Sequence, residues 1–352
     1  MKITRLLTLI FAFALLFNIS CSNDDYDDVI IPAITYENGY FISNEGKFND
    51  KNASVTFVTK NLSFKQDNIY SVNNNNEILG DVLQMIAFNG DNAFLVMNNS
   101  NKIVVVNRKN FKKVGEITNQ ILQPRSMTVA NGNLYVTNHD FNTNKYVTVY
   151  KASDFSFVKK INFTEPVEKI VEAGGNVFVQ NASGGYGNKI TYVNTTSNSI
   201  QSEITVPNGD INRTISFNSN VYAIAGTATN SYIYKISNTG ALIPAETKTL
   251  TGIPNATNLQ IDNGKFYFSS GNKVYTMSMT SSTVPTTPLL TAVDGGPYNT
   301  LYGFSVIDGR IFTSDIKGFT EDSEITVYSA LDGSKLVSFK AGRGSNGTFS
   351  NQ

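Results

Sequence analysis

Apolar and polar residues alternate over short runs along most of the chain, and the runs are bounded by Asn, Gly and Asp. A period of two predicts strands with one face turned inward, and the bounding residues predict tight turns between them. The stretch from Ser126 to Ile161 shows the pattern most plainly. It predicts strands over Ser126–Val129, Leu134–Thr137, Tyr146–Tyr150 and Phe157–Ile161, with Asn131-Gly132 turning the first hairpin. Asn-Gly suits that turn because both residues take positive φ with little strain. Asn89-Gly90, Asn263-Gly264 and Asp308-Gly309 occupy the corresponding point of other units. Beyond the first twenty residues no stretch carries a convincing 3.6-residue apolar period, so little helix is expected.

The strand pattern repeats. ENGYFISN, DNAFLVMN, GNLYVTNH, GNVFVQNA, SNVYAIAG, GKFYFSSG and GRIFTSDI each place an aromatic in the same setting: Tyr40, Phe94, Tyr135, Phe178, Tyr222, Tyr267 and Phe312. Successive aromatics are 54, 41, 43, 44, 45 and 45 residues apart. That spacing is the length of a four-stranded propeller blade, about 40–50 residues. The expected fold is therefore all-β, a seven-bladed β-propeller with four-stranded antiparallel blades. The first unit opens at its second strand and the chain ends just past a fourth, Lys335–Phe339. Residues near Thr348-Phe349 are thus expected to supply the innermost strand of the first blade and close the ring, leaving no open strand edge. Six blades with an irregular amino-terminal segment is the rival count.

Residues 1–20 read as an export signal, with Lys2 and Arg5 ahead of an apolar run from Leu6 to Phe17 that is too short to span a bilayer. The only cysteine, Cys21, follows directly and has no disulfide partner within the chain, so it is the candidate lipidation site. Residues 21–35, with the acidic stretch SNDDYDD, read as a tether, and residues 36–352 as the propeller. The composition, 41% apolar and 16% charged, is that of a globular chain with a sizeable core. Taking Lys2 and Arg5 from the 28 basic residues leaves 26 against 28 acidic, a net charge of −2. This balance suggests neither nucleic acid nor an anionic membrane surface as a partner.

Catalytic combinations are scarce. His139 is the only histidine, which excludes multi-histidine metal sites, and no G-x-S-x-G elbow accompanies it; it reads as an exposed loop residue. Asp294 and Asp332 lie in DGGP and DGSK, turns without the alternating carboxylates of a calcium loop. No catalytic residue, metal or cofactor is expected. A binding surface is better supported, because a propeller gathers equivalent loops from every blade around one axis. Aligning the units on the repeat aromatic places Gln84, Arg125, Glu168, Arg213, Thr257 and Tyr302 where the innermost strands begin. A second ring follows the second strands: Asn44 and Glu45, Asn98 and Asn99, Asn138 and His139, Asn181, Ser270 and Asp315. Such a rim, rich in amides with a few charges, suits a large, amide-rich, nearly neutral ligand.

LYVTN at Leu134–Asn138 resembles the YVTN-type propeller repeat. GYFISNEG, ASVTFV, LGDVLQMI, NNSNKIVVVN and PRSMTV, between Gly39 and Val129, resemble surface propeller lipoproteins of Bacteroidetes, a group that includes vitamin B12-capturing lipoproteins seated over TonB-dependent transporters. The acidic stretch behind Cys21 is similar to their surface-export signal. The resemblance implies an outer-membrane lipoprotein exposed at the cell surface. It would bind a small molecule, a corrinoid, for a TonB-dependent receptor, with Arg125 or Arg213 meeting the ligand's phosphate and Tyr302, Tyr298 and Tyr186 covering its flat face. A surface adhesion or scaffolding propeller that binds protein or glycan is the alternative.

Overall fold

The structure, a computed structural model, describes residues 35–296 and 299–352, of which Thr35–Gln352 form one compact unit. The export signal, Cys21 and the acidic stretch lie outside the described residues, as does Tyr298.

Seven four-stranded antiparallel sheets follow one another around a ring. From blade 2 to blade 7 each sheet uses four consecutive strands, the innermost being Leu83–Asn89, Pro124–Ala130, Ile170–Ala173, Asp210–Phe217, Thr257–Asp262 and Phe304–Ile307. Blade 1 is composite. The carboxy-terminal strand Ser345–Asn351 is its innermost member and pairs with Gly39–Asn44, Phe349 opposite Phe41 and Thr348 opposite Ile42. Each innermost strand touches the next, and Ser345–Asn351 touches both Phe304–Ile307 and Leu83–Asn89, so the ring is sealed. The strands expected over residues 126–161 appear as Pro124–Ala130, Asn133–His139, Lys145–Lys151 and Phe157–Asn162. Asn131 and Gly132 take φ of 45° and 73° at the hairpin between the first two.

Alternation also explains how the blades adhere. On the second strand of blade 3, Leu134 and Val136 join the apolar cluster shared with blade 2, while Tyr135 joins the cluster shared with blade 4. Successive side chains leave opposite faces of a strand, and here both faces are covered. Seven such clusters fill the seven spaces between neighbouring blades. Phe94, Tyr135, Phe178, Tyr222, Tyr267 and Phe312 each face the following blade. In blade 1 that place belongs to Phe41, and Tyr40 turns back against Phe312 with ring centroids 4.9 Å apart. The repeat aromatic of blade 1 is therefore one residue later than the motif suggested. The long first interval has its own cause: residues 67–82 carry a short helix, Ile69–Asn73, whose Ile69 and Tyr70 fill the space between blades 1 and 2.

Candidate functional site

Where the innermost strands begin, several carry a bulge. Register slips at Gln84, at Arg125, at Asn212 and, in blade 1, at Asn346. A bulge inserts one residue without a ladder partner and re-aims its side chain. These inserted residues ring the upper end of the central channel.

A charged network joins them. Arg125 donates from Nε to Glu168 Oε2 at 2.9 Å and from Nη1 to Gln84 Oε1 at 3.0 Å. Ser183 donates to Glu168 Oε1 at 2.6 Å, and His139 Nδ1 stands 3.5 Å from the same oxygen. Burial opposes the charge on Glu168, but His139, Arg125 and Ser183 together outweigh it and hold the carboxyl down at about 2. Across the mouth, Tyr302 donates to Glu45 Oε1 at 3.0 Å and Asn346 to the same atom at 2.8 Å. Burial raises the pKa of Glu45 in spite of those two bonds, and burial together with the charge of Glu45 raises that of Tyr302.

Arg213 lies one residue deeper than the rim. It pairs opposite Ile224, as Ser126 pairs opposite Thr137 and Met85 opposite Val96, each two residues past the repeat aromatic. Asn212 holds the rim position in blade 5. The equivalent deep residue of blade 4 is Lys169, whose carbonyl accepts from the Gln180 amide at 2.8 Å. Alignment on the aromatic named its neighbour Glu168 and passed over Lys169; counting one residue inward from Glu168 is the signal that finds it. Lys169 and Arg213 both line a channel cavity of about 320 Å³. Lys169 also borders a rim hollow of about 260 Å³, along with Arg125, Phe141, Glu168 and Ser183. Burial depresses the pKa of both cations, and with Arg213 adjacent Lys169 falls to about 7.

The other rim candidates fall into two groups. Asn44 and Asn138 are fully buried, and their amides serve the framework. Asn138 accepts from the Leu122 amide at 2.9 Å and donates to Val136 O and Thr148 Oγ1, both at 3.0 Å. Asn44 donates to Ser54 and Thr56 and accepts from Ser345. Asn98 likewise ties the second strand of blade 2 to Pro124 O at 3.0 Å. His139, read as an exposed loop residue, is instead 3% exposed, because it closes a strand and Phe141 covers its ring at 4.6 Å. Phe141 also carries the Arg125 guanidinium 5.1 Å from its centroid. Asp315 stands apart, paired with Lys317 at 2.6 Å beside a separate hollow between blades 6 and 7. Among the described residues no cluster of His, Cys, Asp and Glu is arranged to hold a metal ion.

Fold and mouth together define a sealed seven-bladed propeller with a charged, partly enclosed axial site. The chain belongs to the family described as a domain of unknown function, DUF5074, whose model matches residues 38–344. No curated protein matches the sequence. Among solved structures it is similar to a quinonprotein alcohol dehydrogenase-like protein from Bacteroides thetaiotaomicron VPI-5482, at 14% identity and a TM-score of 0.71, over 90% of this chain and 79% of that one. It is similar also to a functionally unknown protein from Desulfotomaculum acetoxidans DSM 771, at 10% identity and a TM-score of 0.65, over 89% and 98%. Apo AztD from Citrobacter koseri gives 12% identity and a TM-score of 0.58, over 88% and 97%. At such identities the likeness is one of fold.

Proposed function

We propose that the protein is a non-enzymatic capture lipoprotein of the outer membrane, anchored through Cys21 and exposed at the cell surface. It holds a corrinoid across the channel mouth and passes it to a TonB-dependent receptor. The observation that carries the binding reading is the hollow at the upper end of the ring, with Lys169 lining both it and the channel cavity beneath. Around that mouth the loops raise exposed apolar side chains: Phe48 at 62%, Phe141 at 60% and Tyr186 at 79%. A polar centre inside an aromatic border matches a ligand with a flat apolar body and an amide fringe. A corrin ring is too large for a cavity of about 320 Å³, so it would lie over the mouth and send its smaller groups inward. The same border is the observation that favours an adhesive propeller with a protein partner.

Calorimetric titration of the protein lacking residues 1–20 with cyanocobalamin tests the capture reading. Saturable heat that Phe141→Ala weakens supports it. No heat at ligand well above micromolar concentration removes the corrinoid and leaves the adhesive reading.

A further inference from the structure

Lys169, immediately before the innermost strand of blade 4, and Arg213, on the innermost strand of blade 5, hold equivalent places, and both line the same channel cavity. Among the described residues no carboxylate lies within 4.0 Å of either, whereas Arg125 at the rim holds Glu168 at 2.9 Å. The two acids nearby are already committed, Glu168 to Arg125 and Ser183, and Glu45 to Tyr302 and Asn346. Lys169 and Arg213 are half-buried, and two like charges set side by side in a partly enclosed cavity repel each other. A single oxyanion answers both cations at once.

We infer that the channel below the mouth is a phosphoryl-binding site, in which Lys169 and Arg213 clasp the oxygens of a phosphate group. Arginine offers a planar fork to two oxygens and lysine a point charge to a third. A tetrahedral anion supplies those three oxygens, whereas a planar carboxylate has only two to share. The cavity has room for free inorganic phosphate with water, or for the phosphodiester at the end of a larger ligand seated above. The second case rests on the capture reading; the first stands without it. Because burial and Arg213 hold Lys169 near 7, phosphate binding weakens as the pH rises past that value and Lys169 loses its charge.

The test is the titration of the Lys169 side chain, followed by carbon NMR of lysine labelled at Cε and assigned with Lys169→Met. It is run in chloride buffer, with inorganic phosphate, with cyanocobalamin, and with cobinamide, a corrinoid that lacks the phosphodiester. Inorganic phosphate is expected to raise the Lys169 pKa by about one unit or more, as an opposite charge at contact does. Arg213→Met is expected to weaken phosphate about tenfold, the loss of one charge-assisted contact, and Lys189→Met, on the outer surface, to leave it unchanged. The wild-type titration, once assigned, does not depend on how Arg213→Met folds. A shift with cyanocobalamin but neither with phosphate nor with cobinamide assigns the phosphoryl group to the captured ligand. A shift with phosphate and no binding of cyanocobalamin keeps the site and discards the corrinoid. A Lys169 resonance that titrates identically in all four conditions overturns the inference.

Discussion

Replacing Glu168 by glutamine removes the negative charge at the centre of the rim network while keeping the shape of the side chain. Glu168 and Arg125 are 12% and 21% exposed, so the interaction is only partly screened by water. The carboxyl moves from an ordinary 4.5 to about 2, a depression of about 2.5 units, which at about 1.36 kcal/mol per unit amounts to about 3 kcal/mol of folding stability. A depressed pKa makes this stabilisation complete above 4.5 and removes it as the pH falls towards 2. By about pH 3 the wild type has lost about 2 kcal/mol of it, whereas the variant, which has no charge there to lose, is unaffected at this position. Urea unfolding followed by far-ultraviolet circular dichroism suits a chain without tryptophan. Glu168→Gln is expected to be about 3 kcal/mol less stable than wild type at neutral pH and about 1 kcal/mol less stable near pH 3. A gap of the same size at both pH values would refute the reasoning, since the stabilisation would then not depend on the carboxylate charge.

Two further outcomes concern the framework. Asn138→Ala removes the acceptor of the part-buried Leu122 amide and a donor to Val136 O and Thr148 Oγ1 and leaves a small void, so a loss of about 3 kcal/mol in the same unfolding assay is expected; a loss below about 1 kcal/mol would show that the amide is dispensable. Ending the chain at Gly344 strips the innermost strand from blade 1, bares the edge of Gly39–Asn44 and removes the Asn351 amide from Tyr36 O. Light scattering and thermal melting should show association and a broadened transition, and a monomeric truncated chain with an unchanged melt would contradict closure by this strand.

Much of the fold was legible because its determinants are local. A blade of about 40–50 residues carries its own alternation, its own turns and its own aromatic, so the sevenfold repeat and the closing strand could be read without knowing any long-range contact. Register was harder. The Tyr40-Phe41 pair offers two adjacent aromatics, and only the packing of Phe41 against blade 2 shows which one keeps step with Tyr135. The candidate site was legible in outline: Gln84, Arg125, Glu168 and Tyr302 do meet around the axis, with Arg125 bonded to two of them. Asn44 and Asn138 could not be told from surface asparagines, since a residue that ends a strand looks the same whether its amide faces solvent or braces the next loop.

What the sequence alone determined is the number of blades, the strand faces and the means of closure, because period-two patterning and turn chemistry act within a few residues of chain. What only the tertiary structure decided is depth along the axis and neighbourhood across it. A bulge at Asn212 shifts Arg213 one residue inward, and ring closure brings Glu45 and Asn346 together from opposite ends of the chain. The folded chain likewise sets Phe141 over the His139 ring and leaves Lys169 beside Arg213, with no carboxylate within 4.0 Å of either among the described residues. Alternation states which way a side chain points from its strand. It carries no information about which strand from a distant stretch will stand opposite.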